Sequence, residues 1–234
     1  MDDASIAEQL KFLVTAVTAI QKKQDLLETL VNRVNTLENT VSDQQKAISQ
    51  MASEIKELKN DANHRDQQAR ICDLRLFNFP GSGDETGLAA KVYELLKPVL
   101  VAAKAKGDTQ TVPQMGNVIA DVFRAGRFSP GKDKPPPPVI IKCVSPLIRL
   151  AILRNKKDNL PSPSEAEKEA GVKKFIITED LTTPTYKKYR ELLSDDRVQR
   201  AWTINGEIWV VKNVLNPKAF KIKSVYDSND TILS

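Results

Sequence analysis

The chain has 234 residues, with 35 Lys and Arg against 30 Asp and Glu, and a formal net charge of +5. Two well-separated cysteines exclude a disulfide framework and a zinc site, which needs about four ligands. No run approaches the roughly 18 apolar residues of a membrane span, and the opening MDDASIAEQL lacks the basic-then-apolar order expected of a signal peptide.

The charge is uneven. Residues 1–70 carry nine basic and eleven acidic side chains, a net −2, whereas residues 118–160 carry nine basic and three acidic, a net +6. A basic stretch of that kind attracts polyanions, although a single charge run is also what a solvated face looks like.

From Ile6 to Ala62 there is no proline or glycine, and apolar residues recur at spacings of three and four. Ile6, Leu10, Leu13, Val17, Ile20, Gln24 and Leu27 form one seam; Leu30, Val34, Leu37, Val41, Gln44, Ile48, Met51, Ile55, Leu58 and Ala62 form a second. This is a heptad pattern with a stammer at Leu27–Leu30, and it predicts a parallel coiled coil over residues 1–64, roughly 85 Å long at about 1.5 Å per residue. One isolated helix cannot bury such a seam. Arg33-Val34-Asn35-Thr36-Leu37-Glu38 has the form R-h-x-x-h-E, which resembles a trimer-specifying motif. The stem of Arg33 can cover the seam while its head reaches Glu38 of a neighbouring helix. A homotrimer is therefore expected, with a dimer as the alternative. The interface is assigned to Val31, Arg33, Val34, Leu37, Glu38, Val41, Ile48 and Ile55. Gln24 and Gln44 read as register-setting polar layers.

A polar link is expected at 65–72. DLRLFNFPG then reads as a period-two strand, with Leu74, Leu76 and Asn78 on one side and Arg75, Phe77 and Phe79 on the other. GSGDETG has two acids, no lysine and the wrong spacing for a phosphate loop, so it reads as a turn. A helix follows over Leu88 to Ala105, then strands at NVIADVFRAG and PVIIKCV. A helix at SPLIRLAILRNKKD, capped by Ser145, and a strand at KKFIITEDL complete the series. The order β-α-β-β-α-β over 73–180 is that of an RNA-recognition motif, whose open sheet face binds single-stranded RNA. LRLFNF fits the first-strand motif except that Arg75 takes the aromatic position, and VIIKCV offers Ile140 and Lys142 where aromatics are expected. The stacking platform is thus largely missing.

The basic complement is Arg75, Arg124, Arg127, Lys132, Lys134, Lys142, Arg149, Arg154, Lys156 and Lys157. It points to binding dominated by the backbone phosphates and weak in sequence preference. The four prolines at 135–138 stiffen the loop carrying Arg124, Arg127, Lys132 and Lys134, either to lower the cost of docking a phosphate chain or simply as a spacer. Cys72 and Cys143 read as small core or near-core residues of a reducing compartment.

The region 181–226 begins with a helix capped at Thr182 or Thr183, bearing Lys187, Lys188 and Arg190. AWTINGEIWVVKN is a hairpin turning at Asn205-Gly206. Trp202 and Trp209 can stack bases or pair across the strands. AFKIKSVYDSND reads as an edge strand or loose tail, with 227–234 as the tail proper.

Taken in order, RVNTLE, LRLFNFP, FRAGR, PPVIIKCVSPLIRLAILRNKK, FIITEDLT and AWTINGEIWV resemble the first-open-reading-frame proteins of LINE-type (non-LTR) retrotransposons. The final part is also similar to the C-terminal domain of baculoviral FP-type proteins. The resemblance implies an α+β chain: a long N-terminal coiled coil, an RNA-recognition-motif-like domain and a small α/β nucleic-acid-binding domain. It implies a homotrimeric binder of RNA and single-stranded DNA that packages its own transcript and acts as a nucleic-acid chaperone during reverse transcription. Cytoplasmic ribonucleoprotein particles and the nucleus are the implied locations, and the element's reverse transcriptase is an implied partner; no membrane and no cofactor is expected. Carried over by that pattern are Arg124, Arg127, Lys142, Arg149, Arg154, Lys156, Lys157, Lys187, Lys188 and Arg190. Glu179 and Asp180 depart from a uniformly basic groove. The alternative function is a coiled-coil scaffold whose globular end binds a protein. The only histidine, His64, sits in the heptad helix beside no nucleophile pattern, so no enzyme is expected and no metal site is assigned.

Overall fold

The computed structural model describes residues 3–81, 85–126, 136–169, 171–172 and 174–234. The chain is α+β, with a long N-terminal helix and antiparallel sheets. It divides into two units, Met1–Leu58 and Lys59–Ser234.

The first unit is helical throughout its described length, as part of α1 (Asp3–Ala69). Nothing in the sequence breaks the ladder, because proline and glycine are absent. The seam is exposed along this helix: Leu37 is 60% and Leu58 68% exposed. No helix among the described residues is long and apolar enough to cross a membrane.

In the second unit α1 continues to Ala69, through most of the stretch expected to be a link. Its polar residues are why it can. Spacings of three, four and three place Asn60, Asn63, Gln67 and Arg70 on one face, and each finds a partner downstream. Asn60 accepts from Ser224 at 2.9 Å, and Asn63 accepts from the Thr182 hydroxyl at 2.5 Å and donates to Thr185 at 3.1 Å. The buried Gln67 amide donates to the Asp180 carbonyl and accepts from Thr182 N–H, each at 2.9 Å.

A four-stranded antiparallel sheet comprises β1 (Asp73–Phe77), β2 (Ile119–Arg124), β3 (Val139–Cys143) and β4 (Ile176–Glu179), in the order β2-β3-β1-β4. Helices α2 (Leu88–Ala105) and α3 (Pro146–Asn159) share one core with Leu74, Leu76, Val139, Ile141 and Ile177, so both lie on the same sheet face. Val92, Leu95, Leu96, Val99 and Leu100 of α2 are all buried, and Pro98 inside the helix is exposed. Ser145 caps α3 by accepting from Ile148 N–H. The short α4 (Glu165–Glu169) has no counterpart in the sequence reading; Ser164 and Glu167 form its capping box.

One expected orientation is reversed. Asn78 has a φ of 61°, which breaks the strand alternation and turns Phe79 into the core rather than beside Arg75. There Phe79 meets Phe175, with ring centres 6.1 Å apart. Cys143 is buried against this core, which pushes its thiol pKa up to about 12.

Helix α5 (Thr183–Leu193), with Thr182 as its cap, packs on a second antiparallel sheet. This sheet has β5 (Val198–Ile204), β6 (Glu207–Lys212) and β7 (Ala219–Lys221) in sequential order. Asn205 and Gly206, at φ 54° and 77°, make the hairpin turn. Gly206 is required twice over, since an added Cβ would stand 2.1 Å from Gln67 Cγ. The expected tail contains α6 (Asn229–Leu233), whose Ile232 and Leu233 pack against the second core.

Candidate nucleic-acid interface

The two acids that interrupt the basic pattern are the pegs of a joint. Glu179 ends β4 on the helix-covered side and is buried. One of its carboxylate oxygens accepts from Arg149 at 2.5 Å and from Asn205 N–H at 2.8 Å; the other accepts from Gly206 N–H at 3.0 Å. A single side chain thus fixes the turn of the second sheet to the first. Asp180, equally buried, accepts from Arg70 at 2.9 Å and from Arg75 at 2.8 Å. Both acids spend their charge on internal cations, so they do not oppose a polyanion outside.

The same bonds decide which basic residues remain free. Arg124 was expected on a phosphate-facing loop, but its side chain is 5% exposed. It donates to the carbonyls of Phe79, Pro80 and Pro137 and pairs with Glu85 at 2.7 Å, tying together the loops after β1 and before β3. Arg149 is likewise withdrawn by Glu179. Lys188 is buried beside Glu191, at 2.7 Å, and Asn229. These three belong to the protein's own framework. Arg127, Lys132 and Lys134 lie outside the described residues.

The others remain accessible to different degrees. Arg75 is partly exposed but tethered to Asp180. Lys142 lies over the Phe123 ring at 5.4 Å. Lys156 reaches from α3 to the Ile177 carbonyl and caps the free edge of β4; burial lowers its pKa. Arg154 is 61% exposed and meets Asp108 at 3.2 Å. Lys157, Lys187 and Arg190 are exposed, and none forms an ion pair among the described residues.

The face of the first sheet turned away from α2 and α3 is less bare than its motif residues imply, and Ile140, expected at an exposed platform position, is buried there. Register aligns Phe123, Ile140, Arg75 and Thr178 in one row across all four strands. Phe77 occupies the next position along β1 on that face. Phe123 is 41% exposed, so an aromatic ring is present, supplied by β2 rather than by the usual β3 position.

Beyond the β4 edge opens a cleft of about 590 Å³. Arg75, Phe77, Ile176 and Thr178 form its sheet wall, Leu153 and Lys156 its α3 wall, and Tyr186, Tyr189, Arg190, Trp202 and Thr203 its far wall. Among the described residues its only acidic lining residue is Glu179, paired with Arg149. Positive charge beside several aromatic faces suits an anionic chain carrying flat rings. The aromatic residues were hard to find in the sequence because three of them come from α5 and β5, more than a hundred residues after β1. Among the described residues, no group of three or more His, Cys, Asp and Glu could hold a metal ion. No protein-family model matches the chain, and no curated protein matches it.

Proposed function

We propose that this chain is a single-stranded nucleic-acid-binding protein, with RNA as its main ligand, that works as a parallel homotrimer through an N-terminal coiled coil. The cleft carries this reading: its charge surplus is positive, its acid is internally paired, and aromatic rings line three of its elements. The strand order β2-β3-β1-β4, with α2 and α3 on one face, supports an RNA-recognition-motif-like domain. The exposed heptad seam supports self-association, since Val34, Leu37, Val41, Ile48 and Ile55 are all exposed.

The mechanism is phosphate neutralisation by dispersed cations, multiplied by linking three modules. Many weak contacts hold two strands together while letting them exchange, which is what a chaperone of nucleic-acid annealing must do. In this account the protein packages a retrotransposon transcript in cytoplasmic ribonucleoprotein particles and accompanies it, with the element's reverse transcriptase, to the nucleus. It performs no catalysis itself.

The test is the salt dependence of binding to a single-stranded RNA. Replacing Lys157, Lys187 and Arg190 together with Ala should flatten the slope of log affinity against log salt by about 2 for each module that a strand engages, at roughly 0.7 per lost phosphate contact. It should weaken unrelated sequences by similar factors. An unchanged slope, in a variant that still folds, removes these residues from the interface.

A further inference from the structure

The second sheet has two unlike faces. Ala201, Ile208 and Val210 point into the core with Leu192. The opposite face pairs Trp202 with Trp209 directly across β5 and β6, and Trp209 with Lys221 across β6 and β7. On β5, two residues before Trp202, Arg200 turns back so that its guanidinium lies over the indole ring, 5.0 Å from the centre. Arg200 is exposed and forms no ion pair among the described residues. Because β5 is an edge strand, Trp202 also reaches the cleft, where Phe77, Tyr186 and Arg190 are its companions.

We infer that Trp202 is a stacking subsite for one unpaired nucleobase, so that the base contact missing from β3 of the first sheet is supplied by the hairpin of the second. This rests on the nucleic-acid reading and adds where a base goes. The base extends the Arg200–Trp202 stack, and the phosphates on either side of it lie near Arg200 and Arg190. Every base has a flat face, so an indole platform accepts all four. Of the neighbouring polar groups, Thr178 already donates its hydroxyl to the Glu179 carbonyl at 3.1 Å and can only accept, while the Thr203 hydroxyl rotates to donate or accept. One acceptor and one rotatable hydroxyl do not amount to a full hydrogen-bond pattern on the base edge, so sequence preference stays weak. A peptide with an aromatic or proline residue would also fit a ring, but it would leave the uncompensated charge of Arg190 and Arg200 unmatched.

The chain contains two tryptophans, which makes the subsite directly visible. Trp209 Nε1 has no hydrogen-bond partner among the described residues, so Trp209→Phe breaks no described bond and leaves Trp202 as the sole reporter. The full chain carrying Trp209→Phe is titrated at low salt with a dye-labelled oligothymidylate and with an abasic strand of equal length. Dye anisotropy reports binding, and tryptophan emission reports the subsite. The inference predicts that oligothymidylate quenches Trp202 emission at saturation while the abasic strand binds without quenching. Adding Trp202→Leu to the wild-type chain should weaken oligothymidylate binding about ten-fold and leave the abasic strand unaffected. Binding of oligothymidylate with unchanged emission overturns the subsite and leaves the nucleic-acid reading standing. No binding of either strand overturns both. Quenching by a proline-rich peptide, with none by oligothymidylate, assigns the platform to a protein and overturns the inference.

Discussion

Leucine and valine do opposite work in the two units. In Met1–Leu58, Val34, Leu37 and Val41 line an apolar seam that stays exposed. In Lys59–Ser234, Leu74, Leu96 and Ile141 are fully buried, and each sheet has its own core. A side chain stabilises only when water is removed from it. The globular unit is therefore complete as a single copy, whereas the helix gains from its seam only when other helices cover it. Under the proposed self-association, assembly and folding are separable, and substitutions should divide cleanly between them.

The largest effect should come from breaking assembly. Leu37→Asp with Val41→Asp puts carboxylates into the seam. The expected product is a monomer whose affinity for a long single strand falls on the order of 100-fold through lost avidity. Its globular melting transition should stay where it is, and scanning calorimetry alongside sedimentation checks both halves. If the globular transition also moved, the two units would be less independent than their burial patterns indicate.

The converse experiment targets the joint. Glu179→Ala leaves the buried Arg149 guanidinium unpaired and frees the turn at Asn205 and Gly206. Removing one partner of such a pair costs about 3–5 kcal/mol. Denaturant titration should show that loss in the globular unit, with the assembled mass unchanged.

A smaller effect tests the end of the chain through pH. Hydrogen bonds from Arg197, foremost, and from Asn229 hold the Asp195 carboxyl well below the usual carboxylate range. A depressed carboxylate contributes stability above its unfolded pKa and loses it as pH falls toward the folded value. Wild type should therefore be more stable than Arg197→Ala at about pH 6, and the difference should shrink as pH falls below about 4. A gap that persists in acid would show that Arg197 acts through packing.

Which parts were legible in the sequence follows from distance along the chain. The heptad seam, the Ser145–Pro146 helix start and the Asn205-Gly206 turn are each written in neighbouring residues, and the structure has a helix or turn at all three. The role of Arg124 is not local. Its partners Phe79, Pro80 and Glu85 lie some forty residues upstream, so its basic neighbourhood suggested exposure while the fold gave it carbonyls. Glu179 looked like an intruder in a basic groove for the same reason, because Arg149 and the hairpin turn meet it only in three dimensions. The polar stretch at 65–72 read as a link because its residues are hydrophilic. Only their three-and-four spacing hinted at a docking face. Phe79 was assigned to the wrong side because strand periodicity assumes no interruption, and Asn78 supplies one.

The central claim is best tested by sedimentation equilibrium of the full chain, alone and with a labelled single-stranded RNA, at low and at high salt. The account predicts about three chain masses without RNA, co-sedimentation of the strand at low salt, and its release at high salt. A single-chain mass at micromolar concentration, with the strand left free at low salt, would contradict it.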